Sequence, residues 1–169
     1  MKKYFLLLLI LLSSGISFAQ RYAVIDSKYI LGKIPEYKDA QKKLDQFTEM
    51  WQQEIDQKQA AVLKMRKDFE AEQIMLADNL KQKREDEIFN KEKELLDLQK
   101  KRFGFEGDLF KKRGELVKPI QDKLYNAIQK LAAENQYDFI LDKSEGITVI
   151  FADPKLDRSD DVLRLMGNK

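Results

Sequence analysis

Neither cysteine nor histidine occurs anywhere in the sequence. Without a thiol or an imidazole, the chain has no thiol nucleophile, no histidine-based acid–base pair and no ligand set for the usual zinc and copper sites. It also has no disulfide with which to stabilise a fold in an oxidising compartment. No cofactor-binding loop is visible, and the many acidic residues lie among lysines, as on a solvated helix surface. We therefore expect a protein that is not an enzyme and has no catalytic residues, no metal and no cofactor.

Proline and glycine are also scarce, with three and seven residues in a chain of 169. Between Pro35 and Lys118 there is no internal proline, and the first glycine in this stretch is Gly104. The stretch is rich in Lys, Glu, Gln, Leu and Ala, which lose least on entering a helix. It is far longer than a helix of an ordinary globular domain. The sequence therefore predicts a mainly α-helical protein dominated by this segment.

Apolar residues recur along the first half of this segment at the spacing of a coiled-coil seam. The predicted seam residues are Tyr37, Ala40, Leu44, Phe47, Trp51, Ile55, Val62, Phe69 and Leu76. The repeat shifts by one residue after Trp51, which is a stutter that locally unwinds the supercoil. The stripe is thin, so it packs against one neighbouring helix and leaves the other faces in water.

The seam loses its phase near Asp78 and Asn79, which are residues that favour helix caps and turns. We therefore predict a helical hairpin over residues 36–115, with its tip near 77–80. The outgoing arm would end near Ala77 and the return arm would begin near Asn79. Each arm would contain about 40 residues and measure roughly 60 Å. A single continuous rod is the alternative.

The return arm contains three glycines, Gly104, Gly107 and Gly114, within eleven residues. Each helical glycine costs up to about 1 kcal/mol relative to alanine. They predict a hinge, or a break in the helix, and the alternative is close packing of one helix on another. Pro119 is then expected to restart a helix, because proline is tolerated in a first helical turn.

The first 19 residues have the pattern of a cleaved secretory signal peptide. Lys2 and Lys3 precede an unbroken apolar run from Phe5 to Leu12, and Ser17-Phe18-Ala19 is a small-x-small cleavage site. The apolar run is shorter than a membrane-spanning helix needs to be. We therefore expect export and no stable membrane insertion. An uncleaved anchor is the alternative.

The sequence has almost no excess of positive over negative side chains. The chain has 31 Lys and Arg residues against 29 Asp and Glu residues, and Lys2 and Lys3 fall within the predicted signal peptide. The rest of the chain therefore has a net charge of zero. A nucleic-acid-binding protein needs a basic excess to release counterions. We expect no nucleic-acid partner.

Residues 20–35 and 116–169 are predicted to form a small β-containing body. Its three short strands are 22–26, 137–142 and 147–151, the last two joined as a hairpin, and Ser159 would cap a final short helix. Such a body has a marginal core and open sheet edges, so we expect it to be completed by association between subunits. The residues assigned to oligomerisation are Val24, Ile25, Phe139, Leu141, Val149 and Phe151.

The order of these elements resembles the Skp (OmpH) family of periplasmic chaperones. The similarity covers essentially the whole chain after the signal peptide, including the closing strand Tyr-Asp-Phe-Ile-Leu-Asp at 137–142. The stretch 112–123 is similar to members from Bacteroidetes-type bacteria. The resemblance implies a homotrimer whose strands form one body, with three helical hairpins around a central cavity. It also implies an ATP-independent periplasmic holdase that encloses unfolded outer-membrane β-barrel proteins and prevents their aggregation in transit to the outer membrane.

The cavity of such a holdase would be lined by hairpin residues that the two-helix seam does not need. The candidates for client binding are Ile88, Phe89, Leu95, Phe103 and Phe105. The alternative for each is packing within the seam or the body. Well-known family members are strongly basic, whereas this chain is neutral after its signal peptide, so we do not extend lipopolysaccharide binding to it.

A second function fits a long helical hairpin: a structural coiled-coil adaptor of the envelope that binds a folded partner. An adaptor usually presents a continuous, specific seam. This hairpin has a thin, phase-shifted stripe and a return arm interrupted by glycines. The sequence therefore favours the chaperone.

Overall fold

The structure is a computed structural model that describes residues 20–144, 146 and 149–167. The predicted signal peptide lies outside these residues. The elements in chain order are strand β1 (Tyr22–Ile25), helices α1 (Ser27–Lys33), α2 (Pro35–Glu72), α3 (Asp78–Phe103) and α4 (Asp108–Asn135), strand β2 (Phe139–Asp142), a 3₁₀ turn (Pro154–Leu156) and helix α5 (Ser159–Leu165). Within the described part of the chain, no helix has the length and apolar character that crossing a membrane requires.

The chain divides into two compact units. The terminal unit contains the segment up to Lys33 and the segment from Leu124 onward. The hairpin unit is Ile34–Lys123.

Strand β1 is the centre of the terminal unit. It pairs in parallel with β2, in a register that places Tyr22 opposite Phe139 and Ile25 opposite Asp142. On its other side, the Val24 carbonyl accepts a hydrogen bond of 2.8 Å from the Arg158 amide. The β1 side chains after Tyr22 are buried, as the apolar sequence of the strand predicts. The helices contribute Ile30 of α1 and Val162 of α5, both with no exposed surface.

The predicted third strand is wrong for the residues that the structure describes. Residues 149–151 are not in a strand, and Ile147 and Thr148 lie outside the described residues. Among the described residues the sheet has two strands, and β2 pairs with no described segment that follows it. The other edge of β1 is taken by Asp157 and Arg158 from later in the chain, so the sheet is extended there without the predicted strand.

Ser159 joins three segments of the terminal unit instead of capping α5. It is the first residue of that helix and is 4% exposed. Its hydroxyl accepts a hydrogen bond of 2.9 Å from the Asp26 amide and donates one of 2.7 Å to the Asp157 carboxylate. A serine that the sequence marks as a helix start is therefore used to hold the end of β1.

The hairpin is confirmed, with arms of unequal helix length. The outgoing arm α2 has 38 residues, about 57 Å at 1.5 Å per residue. It ends at Glu72, five residues before the predicted position, and α3 starts at Asp78. The seam is confirmed by its most buried residues on α2, which are Ala40, Leu44, Trp51, Ile55 and Val62.

The return arm is interrupted once, between α3 and α4. Helix α4 then runs from Asp108 to Asn135 through Pro119, so the predicted helix start at Pro119 is wrong. Proline fits helical φ but has no N–H, which leaves the Glu115 carbonyl without its usual donor. Val117 and Ile120, on either side of the proline, are buried.

Two aspartates in the terminal unit have pKa values below their ordinary value of 3.8. Burial raises both, but hydrogen bonds to the charged form outweigh it. Asp142 accepts from the Ser27 and Ser144 amides, and Asp157 accepts from Lys143 at 2.7 Å and from Ser159.

We expect the stabilisation from these two carboxylates to disappear in acid. Because each folded-state pKa is lowered, the contribution is complete above the unfolded pKa and is lost as pH falls through the folded pKa. Asp142→Asn and Asp157→Asn should therefore lower Tm at about pH 7, and this deficit should shrink as the pH falls below the ordinary carboxyl pKa of 3.8. Thermal unfolding followed by circular dichroism measures this. Asp122→Asn, on the exposed surface of α4, is the control, and a gap of constant size across pH would contradict the prediction.

Candidate functional site

The break in the return arm is formed by residues 104–107. The Gly104 amide still donates to the Lys100 carbonyl at 2.8 Å, and the Gly107 amide donates to the Gly104 carbonyl at 2.9 Å. Between them, Glu106 has a φ of 56°, in the left-handed region. The predicted break is therefore confirmed at Gly104 and Gly107. Gly114, the third predicted hinge residue, lies inside the continuous helix α4.

Close approach of the backbone explains the first two glycines. A Cβ atom at Gly104 would lie 2.3 Å from the Lys100 carbonyl oxygen. One at Gly107 would lie 2.9 Å from the carbonyl oxygens of Gly104 and Lys101. Gly114 has open space around the equivalent position. The close neighbours of these two glycines are backbone atoms of their own turn, so the contacts do not show the alternative of one helix packed closely on another.

Arg102 connects the helices around this break. Its guanidinium donates to Asp108 of α4 at 2.7 Å and to Glu54 of α2 at 3.0 Å. It also lies 5.1 Å from the centre of the Trp51 ring, in cation–π contact. Burial lowers the pKa of Arg102, but the bonds to Asp108 and Glu54 give a net increase. One side chain therefore joins the end of α3, the start of α4 and the middle of α2.

The five candidate client-binding residues differ widely in exposure. Ile88 is only 7% exposed and belongs to the seam, whereas its neighbour Phe89 is 66% exposed. Leu95 is half-buried. Phe103 is partly exposed and contacts Trp51 edge-on, with ring centres 6.4 Å apart. Phe105, in the helix break, is 97% exposed.

Phe105 lines an open groove of about 230 Å³ on the outside of the break. Leu109, Phe110 and Arg113 complete the groove on α4. Phe110 is itself 62% exposed. A second groove, of about 400 Å³, lies between α2 and α3 near the turn and includes Phe89. The hairpin unit therefore presents separate apolar patches on a charged surface.

The turn between α2 and α3 adds apolar residues that our sequence analysis did not select. Ile74 is 91% exposed and Met75 is 85% exposed. The signal was present in the sequence, because Ile74, Met75 and Leu76 are consecutive and a thin seam needs only one of them. These residues place an apolar surface at the tip of the hairpin.

The six residues assigned to oligomerisation fall into two groups. Val24 and Ile25 are buried within the single chain, at 2% and 3% exposure. Phe139 and Phe151 are exposed, and Leu141 and Val149 are half-buried. The Phe139 ring stacks on Tyr22 with ring centres 5.7 Å apart. Among the described residues, no strand pairs with the outer edge of β2.

No group of side chains in the described part of the chain has the composition of a metal site. The clusters that do form are ion pairs between helices and apolar patches.

Three comparisons place the chain among known proteins. Residues 21–166 match the sequence model of the family described as "Outer membrane protein (OmpH-like)". An uncharacterized protein from Aquifex aeolicus is 27% identical over 164 residues, which covers 97% of this chain and 95% of the relative. The crystal structure of an OmpH-like protein from Caulobacter crescentus superposes with a TM-score of 0.69, covering 89% of this chain and 86% of that one. At 14% identity, that likeness concerns the fold.

We expect the break glycines and Gly114 to respond oppositely to alanine. Gly104→Ala should destabilise the protein by about 1–3 kcal/mol, because the new Cβ overlaps the Lys100 carbonyl. Gly114→Ala should stabilise it by about 0.5–1 kcal/mol, because alanine favours the helix and nothing obstructs its Cβ. Urea unfolding of the two variants measures both effects. Equal effects of the same sign would contradict the assignment.

Proposed function

Because the chain belongs to the OmpH-like family, we propose that it is an ATP-independent periplasmic holdase for unfolded outer-membrane β-barrel proteins. It encloses its clients and prevents their aggregation in transit to the outer membrane. The predicted signal peptide at residues 1–19 directs it to the periplasm. The Caulobacter crescentus protein is described as a proposed outer membrane chaperone, and the shared fold supports the same role here.

The observation that carries this proposal is the exposure of aromatic side chains on the hairpin unit. Phe105, Phe110 and Phe89 are each more than half exposed, and none is needed for the buried seam. Phe105 and Phe110 line one groove, and charged, solvated helix surface separates that groove from Phe89. A surface of that kind holds an unfolded chain through many weak contacts and imposes no single bound conformation.

The client-binding surface in this proposal consists of the exposed members of the predicted set. Phe89 and Phe105 contribute most, with Leu95 and Phe103 beside them. Ile88 supports Phe89 from the buried seam and does not itself face clients. The apolar tip at Ile74 and Met75 extends the same surface to the end of the hairpin.

A homotrimer is part of the proposal. No described strand pairs with the outer edge of β2, and an unpaired edge is a template for pairing with another chain. The stacked Tyr22 and Phe139 rings lie on this sheet, and Ile150 and Phe151 are 94% and 83% exposed. These side chains would be covered by neighbouring subunits, while Val24 and Ile25 hold each subunit's own sheet together.

The break at 104–107 is proposed as the hinge that lets the cage adapt to clients of different size. Two helices meet there without continuous backbone hydrogen bonding, and Arg102 sets their relation through Glu54 and Asp108. Gly114 would add compliance within α4, since glycine weakens a helix.

A urea-unfolded outer-membrane β-barrel diluted into buffer should remain soluble in the presence of the chain Gln20–Lys169. We expect suppressed light scattering without ATP, and a sized complex containing one client per trimer. Unchanged scattering by a well-formed oligomer would contradict the holdase and favour an adaptor that binds a folded partner. Sizing of the protein alone tests the trimer independently.

Replacing the two most exposed candidate residues should weaken client capture. Phe89→Ser combined with Phe105→Ser removes two large apolar contacts, and we expect client affinity to fall roughly tenfold. The oligomer should persist, because neither side chain is buried. Tyr125→Ser, an exposed aromatic in the terminal unit, is the matched control. Loss of the oligomer in the double variant would show that the two phenylalanines are structural.

A further inference from the structure

The groove near the hairpin turn has a composition that selects among client segments. It measures about 400 Å³, within the range of sites that take small ligands or a few side chains. Its lining comes from the last turns of α2 and the first half of α3. The lining residues are Arg66, Phe69, Glu70, Gln73, Glu85, Ile88, Phe89 and Glu92.

The inner part of the groove is apolar. Ile88 is buried, Phe69 is half-buried, and the exposed Phe89 ring forms one wall. Another aromatic or a large aliphatic side chain fits against these surfaces, because burial there removes apolar area from water on both partners.

The rim of the groove is acidic. Three carboxylates and one guanidinium line it, which leaves an excess of two negative charges. Arg66 is already used, since its Nε donates to Glu92 across the two helices. Glu70 and Glu85 form no ion pair with any described residue. Arg66 attracts Glu70 without forming a close ion pair with it, so Glu85 is the carboxylate more available to a cationic group from outside.

We propose that this groove binds an extended client segment in which an apolar side chain, preferably aromatic, lies two residues from a lysine or arginine. In an extended chain, side chains two residues apart point to the same side. The apolar one then enters against Phe69 and Phe89, and the basic one reaches Glu70 or Glu85. This inference rests on the proposed function and adds a client preference to it.

The opposite side of the same two helices provides a control surface. A smaller groove there, of about 120 Å³, includes Asp68 and Glu72 together with Arg84. Neutralising Asp68 and Glu72 changes the net charge of the hairpin end as much as neutralising Glu70 and Glu85 does. Only the neutralisation of Glu70 and Glu85 alters the proposed site.

The test uses three labelled peptides that differ only at two positions, which lie two residues apart. These positions carry Phe and Lys in the first peptide, Phe and Glu in the second, and Ala and Lys in the third. Their affinities for the oligomer of Gln20–Lys169 are measured by fluorescence anisotropy. We expect the Phe–Lys peptide to bind about threefold to tenfold more tightly than either of the others. The expected difference is no larger because the peptide's partners in the groove are exposed charges and one aromatic ring. Its advantage over Phe–Glu should shrink as salt is added. Equal affinity of Phe–Lys and Phe–Glu peptides would overturn the proposal.

Glu70→Gln with Glu85→Gln should abolish the preference for the basic peptide, and Asp68→Asn with Glu72→Gln should preserve it. Phe89→Ser should weaken binding of both phenylalanine peptides. An equal loss of preference in the two double variants would overturn the proposal by showing a general charge effect. If the wild-type protein suppresses client aggregation but shows no peptide preference, this inference fails and the holdase stands. If the wild-type protein neither suppresses client aggregation nor shows a peptide preference, both the holdase proposal and this inference fail.

Discussion

The parallel pairing of β1 with β2 is the constraint on which the rest of the structure depends. Parallel neighbours cannot be joined by a tight turn and need a long crossover, and here helices α1 to α4 are that crossover. Closing so long a connection costs conformational entropy. A small set of hydrogen bonds at β1 offsets that cost. They include the bond from the Lys143 amide to the Ile25 carbonyl and the bond from the Arg158 amide to the Val24 carbonyl, both 2.8 Å. Two chain ends that are far apart in sequence are thereby held beside one strand.

The hairpin is built with little buried surface, and this affects what it can do. Its seam buries one stripe of α2, and elsewhere the helices are supported by short-range ion pairs such as Lys91 with Glu94 and Lys112 with Glu115. Exposed pairs of this kind contribute little to stability. Large apolar side chains outside the seam therefore have nothing within the hairpin unit to cover them. Their exposure follows from the same thin stripe that makes a long hairpin possible.

Features set by local sequence were the ones that could be predicted. The hairpin, its seam, the start of α3 and the break at Gly104 follow from helix preference, heptad spacing and glycine, which act within a few residues.

Features set by contacts between distant segments were predicted poorly. The apolar run near Val149 has the pattern of a strand, but residues 149–151 are not in one, and Asp157 and Arg158 are the later segment that joins the sheet. Ser159 has the pattern of a cap, but its hydroxyl is used by Asp26 and Asp157. Likewise, spacing alone does not separate Ile88 from Phe89, since one residue of rotation decides which side chain is buried.

The helix break combines two opposing tendencies. Gly104, Gly107 and the left-handed Glu106 remove helical continuity, which by itself would leave α3 and α4 free to move. Arg102 opposes this, because it holds Asp108 and Glu54 while lying on Trp51. The Nε atom of Arg102 is buried and has no hydrogen-bond partner within the described part of the chain. The joint therefore contains an unsatisfied donor, and the guanidinium is fixed by only some of its N–H groups. A joint made of ion pairs and one cation–π contact weakens as water and salt reach it, whereas a continuous helix does not. In the proposed hinge, the compliance of a long arm would be concentrated at this one point.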